Sequence, residues 1–241
     1  RLIEQVSRES GINIICATGT WRDIPRAFWN ATPDSVAKLY KREIEVGIED
    51  TGIKAGIIKV ANDVGGVTRE GEVILRAAAR TQKATGIPIS THTWAPDRVG
   101  EQQVRIFEDE GVDLNRVYIG HSNDTTDTFY LEGLMDKGVW LGLDRYPGGR
   151  SHRTPDWKGR TETAMKLISD GYGKRIMLGH DWSVTLSIDS EEGQDTRKKS
   201  NPDGYLFITR KVLPRLREMG ASQGQLDDLM INNPRKFFEG T

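Results

Sequence analysis

The sequence predicts an α/β fold, and specifically a β/α barrel, from three observations. Short apolar runs recur at intervals of roughly 25 to 40 residues, and helical patterns lie between them. The runs are almost continuously apolar, which is typical of parallel strands that are covered on both faces. Several runs end in a charged or histidine side chain, and in such barrels the strand ends open onto one common face.

Six strands are predicted, whereas a closed barrel needs eight. We therefore interpret residues 1–241 as a single barrel domain that contains strands 3 to 8, with about two N-terminal βα units missing from this chain. A genuine six-stranded open sheet is the alternative. The predicted strands cover residues 12–17, 55–60, 87–91, 116–120, 139–144 and 175–179.

Helices are predicted between the strands because alanine and straight-chain residues recur there. Thr32 and Pro33 supply a cap and a first-turn proline for the first of them. Pro214 is expected to kink the last helix. Residues 183–203 lack a regular pattern and are expected to form a loop over the active face. The predicted helices cover residues 35–49, 72–83, 102–110, 128–137, 161–170 and 205–219.

Composition excludes several classes of protein. The net charge of the 241 residues is -1, which gives no electrostatic argument for binding nucleic acid or an anionic membrane. No run approaches the roughly 20 apolar residues of a membrane span. The single cysteine, Cys16, excludes a disulfide framework and is expected in the core. No secretory signal is visible, so the compartment stays open with the cytoplasm favoured.

Four polar residues, Lys59, His92, His121 and Asp181, stand at the ends of predicted strands. Strand alternation places Lys59, His121 and Asp181 on the inward face and turns His180 toward the surrounding helices. Two inward histidines and an aspartate are the ligand types of a divalent metal ion. These residues therefore predict a metal site.

An inward lysine is unusual in a barrel interior that is mostly apolar. Burial favours its neutral amine, which can form a Schiff base or react with carbon dioxide. A plain salt bridge between Lys59 and Asp181 is the alternative. The remaining histidine, His152, lies in a polar loop and is expected to be exposed.

Three further residues are candidates at the same face. Arg145 closes the fifth predicted strand and can bind an anionic group or relay polarity from Asp181, although a salt bridge at the rim is an equal alternative. Asp124 is a candidate partner for Arg145. Trp21 follows the first strand and can form an aromatic wall of an apolar pocket, or simply cover the barrel end.

The chain resembles the phosphotriesterase family of the amidohydrolase superfamily. The matching stretches run in the family's order over nearly the whole chain, and as a set they are highly specific. They are residues 17–21 (ATGTW), 47–53 (GIEDTGI), 55–60 (AGIIKV), 91–93 (THT), 100–103 (GEQQ), 119–122 (IGHS), 142–145 (GLDR), 180–182 (HDW), 201–204 (NPDG) and 233–234 (NP).

This resemblance implies a (β/α)8 barrel of the metal-dependent hydrolase type with two divalent metal ions. Zinc is the usual metal, and cobalt, manganese or iron are alternatives. Lys59 would be carbamylated and bridge both metals, and His92 and His121 would bind the more exposed one. Asp181 would bind the buried metal and take a proton from the metal-bridging hydroxide.

The resemblance also implies roles for the residues around the metals. Arg145 and Asp124 match positions of a proton-relay path from Asp181 to solvent. Trp21 matches a wall of the leaving-group pocket, and Arg145 is a second candidate for substrate binding. The expected substrate is a small-molecule ester, either a phosphotriester (an organophosphate) or a lactone, and the expected assembly is a homodimer.

The chain departs from the family at one point, because the His-x-His pair of the family's first strand is absent. The absent pair belongs to a strand that this chain is also predicted to lack, so one explanation covers both. We therefore favour a shortened form of an active family member. Two alternatives remain open. One is a Schiff-base barrel lyase that uses Lys59, and the other is an inactive fragment.

Overall fold

The structure is a computed structural model that describes residues 2–149, 151–183 and 190–240. The strands follow one another in sequence order in a six-stranded sheet, and helices separate them. The predicted α/β class, with the order of successive β/α-barrel strands, is confirmed. The strands are β1 (Ala17–Thr20), β2 (Ile57–Ala61), β3 (Ile89–His92), β4 (Val117–Ile119), β5 (Trp140–Leu143) and β6 (Ile176–Leu178).

The first five predicted helices are present, with ends shifted by up to four residues, whereas the one predicted over residues 205–219 is an α-helix only at Leu213–Glu218. Over the described residues, no helix combines the length and the apolarity that a bilayer span requires. The α-helices are α1 (Leu2–Ser10), α2 (Pro33–Glu45), α3 (Arg69–Thr85), α4 (Val99–Asp109), α5 (Thr128–Asp136), α6 (Trp157–Ser169), α7 (Glu191–Ser200), α8 (Leu213–Glu218), α9 (Gln223–Asp227) and α10 (Asn233–Glu239).

The chain divides into two compact units. The first unit contains Arg1–Thr93 and Val99–Tyr118, and the second contains Trp94–Arg98 and Ile119–Thr241. In the first unit β1, β2 and β3 pair in parallel, and in the second unit β5 and β6 pair in parallel. Each unit is therefore built from adjacent βα elements.

The core of the first unit lies between its strands and the helices α2 and α3. Ile58 and Val60 of β2 are fully buried, whereas Ile57 and Lys59 on the opposite face are half-buried. Helix α2 begins at a capping box in which Thr32 and Ser35 bond each other's backbone N–H groups. The alternation predicted for β2 is confirmed, and it separates Lys59 from the apolar face.

Gly19 brings β1 unusually close to β2 beside this lysine. Its φ is +123°, and a Cβ atom at this position would lie 1.9 Å from the carbonyl oxygen of Lys59. Only glycine accepts both the backbone angle and the close approach. The glycine therefore fixes the position of the backbone that carries Lys59.

In the second unit, buried residues of β5 such as Leu141 and Leu143 form the centre of the core. Asn233, at the start of α10, is also buried, and its amide donates hydrogen bonds to the carbonyl oxygens of Gly173 (2.8 Å) and Ile176 (2.7 Å). A buried backbone carbonyl needs such a donor. The Asn-Pro stretch at residues 233–234 thus ties the last helix to the beginning of β6.

The position predicted for the first strand was wrong. The prediction covered residues 12–17, whereas pairing begins at Ala17, opposite Ile57. The apolar residues Ile12 and Ile15 have strand propensity but lie before this ladder and are exposed. Cys16 is half-buried rather than in the core, and it lines an apolar groove of about 860 Å³ together with α1.

The prediction that residues 183–203 form an irregular loop was also wrong in part. Residues 184–189 lie outside the described part of the chain, but Glu191–Ser200 form α7. Ser190 caps this helix by accepting a hydrogen bond from the N–H of Gly193 at 3.1 Å. The helix has charged residues of the favourable sign at each end and no apolar stripe. Without that stripe, hydrophobic periodicity could not reveal it.

Pro214 was expected to kink one helix over residues 205–219, whereas the structure divides that stretch into separate helical segments. The segment consists of a 3₁₀ turn (Gly204–Leu206), a π-helical turn (Ile208–Val212) and then α8, with Pro214 in its first turn. Proline lacks an N–H group and its ring collides with the carbonyl four residues earlier.

Candidate active site

Lys59 lies in the middle of the three paired strands of the first unit. It pairs with Gly19 of β1 and with Ser90 of β3. Its Nζ donates a hydrogen bond to the carbonyl oxygen of Thr91 at 3.1 Å. The amine is thereby directed to the carboxyl end of β3, the strand that ends with His92.

His92 is buried at the end of β3, with 4% of its surface exposed. Its Nε2 lies 3.4 Å from Oδ2 of Asp63, and its ring meets the Trp21 ring edge to face at 6.1 Å. The first unit thus brings together His92 and Trp21, which were predicted, with Asp63, which was not. Asp63 follows the end of β2 by two residues, and that position is a signal that could have revealed it.

Asp63 is held as a charged partner of this cluster. Desolvation raises the pKa of its carboxyl group, but hydrogen bonds from the Val64 N–H and from Arg22, and the charges of His92 and Arg22, outweigh that effect. The pKa of Asp63 consequently lies below its ordinary value. A negative charge beside His92 orients the imidazole.

Trp21 is 53% exposed although its ring edge meets His92. The guanidinium of Arg22 lies over the same ring, 5.1 Å from its centroid. An aromatic surface that is exposed next to a buried histidine is available to an apolar group of a ligand. The role of Trp21 as a pocket wall stays a prediction.

His121 lies two residues after the end of β4, in the second unit. Oδ1 of Asp144 accepts the backbone N–H of His121 at 2.7 Å and lies 2.9 Å from its Nδ1. A carboxylate at Nδ1 places the proton on that nitrogen, so Nε2 carries the lone pair that a metal ion requires. Asp144 was not predicted, although it stands immediately before Arg145 in the stretch GLDR.

Arg145, Asp181 and Asp124 are brought together as predicted. Nε of Arg145 donates to Oδ2 of Asp181 at 3.2 Å, and its Nη1 donates to Oδ2 of Asp124. Desolvation lowers the pKa of Arg145, but the two carboxylates outweigh this and its pKa is raised. The guanidinium therefore keeps its charge.

Arg160 is a member of this network that sequence reasoning missed. It is 1% exposed, and its Nη2 lies 2.8 Å from Oδ1 of Asp124. Its Nη1 donates to the carbonyl oxygen of Asn123 at 2.6 Å. An arginine in the sequence of a helix is expected at the surface, so α6 gave no signal that Arg160 is buried.

The prediction that strand alternation orients His121 and Asp181 was wrong, because it assumed that both residues lie in strands. Strand β4 ends at Ile119 and β6 ends at Leu178, so neither residue lies in a strand. Both have left-handed backbones, with φ of 60° and 43° respectively. Such angles are uncommon outside glycine and occur often at functional sites.

The other two histidines lie where they were expected. Nε2 of His180 accepts a hydrogen bond from the N–H of Ile208 at 3.2 Å, and its ring meets Tyr205 edge to face. Burial lowers the pKa of His180 and favours the neutral form that can accept this bond. His152 is exposed.

The donor types of the predicted metal ligands fit a divalent cation, because imidazoles and carboxylates are its usual protein ligands. The hydrogen bond between His121 and Asp144 is the arrangement that prepares an imidazole for this role. Within residues 2–149, 151–183 and 190–240, no group of three or more His, Cys, Asp or Glu side chains is arranged to hold a metal ion. Lys59 is outside that set of residue types.

The α/β fold, with its strands in sequence order and polar residues at the strand ends, places the chain in the β/α-barrel class. The family model of the phosphotriesterase family matches residues 1–238, and the chain belongs to this family of metal-dependent hydrolases.

Relatives with several names match the chain over almost its full length. An aryldialkylphosphatase of Saccharolobus solfataricus is 36% identical over 240 residues, which cover 99% of this chain and 76% of that protein. A phosphotriesterase homology protein of Mycobacterium tuberculosis is 39% identical over 246 residues, covering 98% of this chain and 74% of that protein. An N-acetyltaurine hydrolase of Dictyostelium discoideum is 30% identical over 243 residues, covering 97% and 63%.

Proposed function

We propose that this hydrolase cleaves phosphotriester or lactone ester bonds and that Lys59, His92, His121 and Asp181 are its metal ligands. The observation that carries the proposal is the hydrogen bond between His121 and Asp144, because it prepares one predicted ligand for a cation. Zinc is the metal we expect, and Lys59 would bind it as a carbamate, since an ammonium group has no lone pair to offer.

The bound cations would polarise the ester oxygen and make water a better nucleophile at neutral pH. Asp181 is the group that would accept the proton of that water. Arg145 orients Asp181 by donating from Nε to its Oδ2. This contact keeps the carboxylate in one orientation before substrate binds.

Arg145 and Asp124 act in this proposal by orientation and charge, rather than as carriers of a proton. A guanidinium does not give up its proton in proteins, and the pKa of Arg145 is raised further by its carboxylate partners. Each oxygen of Asp124 is bonded to an arginine, one to Arg145 and one to Arg160. A carboxylate held in this way supports Arg145, which in turn holds Asp181.

The substrate class can be tested by comparing three compounds. We expect the metal-loaded protein to hydrolyse a paraoxon-like triester or an acyl-homoserine lactone, and we include N-acetyltaurine because a relative is named for that substrate. A chelator should abolish the activity, and zinc should restore it. Activity on none of the esters, or activity that survives the chelator, would contradict the proposal.

Membership of a hydrolase family favours hydrolysis over a Schiff base at Lys59. Treatment with borohydride in the presence of a carbonyl substrate separates the two chemistries. Hydrolysis predicts no change in the mass of the protein, whereas a lyase would become covalently labelled at Lys59.

We also propose that two further βα units of the barrel cover the apolar surface at α1. Leu2, Ile3 and Ile12 are 74%, 57% and 61% exposed, and an apolar surface of this kind marks a contact site. A longer form of the protein that carries two further βα units before Leu2 should protect the backbone amides of α1 from hydrogen exchange. Equal hydrogen exchange of the α1 amides with and without these units would contradict this proposal.

A further inference from the structure

The backbone carbonyl of His92 is held by two hydrogen bonds. It accepts from the N–H of Asn62 at 3.0 Å and from Nε2 of Gln103 at 3.0 Å. Nε2 of Gln103 also donates to Oδ1 of Asn62 at 2.8 Å. Gln103, His92 and Asn62 are 0%, 4% and 6% exposed, and all three belong to the first unit.

Gln103 thereby connects a helix to the ends of two strands. It lies in α4, Asn62 follows the last residue of β2, and His92 is the last residue of β3. A strand end is where regular pairing stops, so the backbone there needs other partners to be held in one place. Gln103 supplies that partner from outside the sheet.

The Asn62 side chain is itself confined. A Cβ atom at Gly71, in the first turn of α3, would lie only 2.6 Å from Nδ2 of Asn62. The absence of a side chain at Gly71 therefore leaves the space that the amide occupies. The amide that receives the Gln103 bond is fixed by packing as well as by hydrogen bonding.

The buried side chain of Gln103 lowers the stability of the fold through one of its polar atoms. Its Oε1 is buried and has no hydrogen-bond partner among the described residues. Leaving a buried acceptor unpaired costs free energy, so stability alone does not account for a glutamine here. The two bonds made by its Nε2 are the feature that an apolar residue could not replace.

The neighbouring Gln102 has a different role. Its Oε1 accepts the backbone N–H of Val67 at 3.0 Å, and its side chain is exposed on the same helix. Gln102 thus holds the segment before α3 and, among the described residues, makes no hydrogen bond to the end of β3. It offers a matched control, because it is the same residue type one position away.

We propose that Gln103 is a positioning residue that sets the orientation of His92 as a metal ligand. The inference rests on the proposed function, because it requires His92 to bind a cation. The side-chain direction of His92 follows from its backbone, and Gln103 fixes that backbone at its carbonyl. Loss of an outer partner of a ligand weakens metal affinity by about tenfold to a hundredfold, and we expect Gln103→Leu to fall in that range.

The experiment is a titration of the purified protein with Co²⁺ alone, followed by the visible absorption of the bound ion. Gln103→Leu should weaken Co²⁺ binding and change the absorption bands, whereas Gln102→Leu should leave both unchanged. In a His92→Asn background, Gln103→Leu should have no further effect on the affinity. A purely structural role would lower the thermal midpoint without changing Co²⁺ affinity.

Three outcomes overturn the proposal. The first is a Co²⁺ affinity of Gln103→Leu equal to that of the wild type, and the second is an additive loss in the His92→Asn background. If Gln103→Leu does not fold, Gln103→Met replaces it, because methionine keeps the length of the side chain and has no donor. An unchanged affinity of that variant is the third. Wild-type protein that binds no Co²⁺ would instead refute the proposed function, on which the role of Gln103 depends.

Discussion

At the scale of single residues, Asp144 shows how one carboxylate can prepare a ligand. It bonds both the backbone N–H and Nδ1 of His121. Asp144→Asn should weaken divalent metal affinity by about tenfold or more, because an amide holds the imidazole less strongly. Isothermal titration with zinc measures this effect. Asp170→Asn, which changes an exposed ion pair with Lys166, is the control and should bind zinc normally.

Variants of Asp181, His121 and His180 allow a sharper comparison. Asp181→Asn should reduce turnover severely and leave the fold intact, since Asp181 is proposed to accept a proton. His121→Asn should reduce turnover much more than His180→Asn. Steady-state kinetics with circular dichroism as the fold check decides this, and near-normal turnover of Asp181→Asn would refute the proposed base.

His180→Asn should act on stability instead of turnover. The N–H of Ile208 would lose its acceptor, which costs about 1–3 kcal/mol if that group stays buried. Thermal unfolding of the variant measures the loss. Equal losses of turnover for His180→Asn and His121→Asn would show that His180 takes part in the chemistry.

Candidate site residues at strand ends could be located from the sequence, whereas the helix residues that hydrogen-bond to this region could not. Lys59 and His92 stand at the ends of apolar runs, which strand periodicity reveals. Arg160 and Gln103 lie in helices, and their roles come from partners 36 and 11 positions away. A pattern within one helix does not contain that information.

At the scale of secondary-structure elements, α2, α3 and the end of α4 are joined by a network of charges around Glu110. A hydrogen bond from Arg80 is the main cause of the lowered pKa of Glu110, and desolvation opposes it while Arg76 adds to it. Arg80 also bonds Asp34 of α2 at 2.9 Å. The carboxylate is thus favoured in the folded state.

This network predicts a dependence of stability on pH. Because the pKa of Glu110 is depressed below its ordinary value of 4.5, its contribution is present above that pH and is lost as the pH falls through the folded-state pKa. Glu110→Gln should lower the thermal midpoint at neutral pH and have a smaller effect at an acid pH below 4.5, because protonation then removes the charge from the wild-type side chain as well. Glu45→Gln, at an exposed pair with Lys41, should change little at either pH. An equal loss at both pH values would disprove the role of the charge.

The contact between β1 and β2 gives a second prediction at this scale. Gly19→Ala should destabilise the protein by about 3 kcal/mol or more, because its Cβ would overlap the carbonyl of Lys59 at a φ that alanine disfavours. Chemical denaturation measures the change. Gly133→Ala is the control, since a Cβ there meets nothing within 4 Å. A stable Gly19→Ala variant would show that β1 can move away.

The helices were easier to predict than the first strand. Helix α2 has its cap and its proline in the sequence, so its start could be placed within two residues. The start of β1 depends on which of its residues pair with β2. That register is set by the pairing of Gly19 with Lys59 rather than by the apolar residues before β1. Strand propensity alone therefore placed β1 too early.

At the scale of the whole molecule, the fold class followed from the regular alternation of strands and helices. That alternation extends from β1 to β6, and no single misplaced end changes it. The resemblance to a family followed from short stretches near strand ends, and the family model confirms it over residues 1–238. The substrate did not follow, because it depends on the shape of loops that carry no regular pattern.

Elemental analysis of the purified protein after dialysis tests whether the strand-end residues bind metal. We compare the wild type with His92→Asn, His121→Asn and His152→Asn, the last being the exposed histidine that serves as control. We expect the wild type and His152→Asn to retain a divalent metal, and the other two variants to lose it. Absence of metal from the wild type, or equal metal in all four proteins, would show that these residues do not form a metal site.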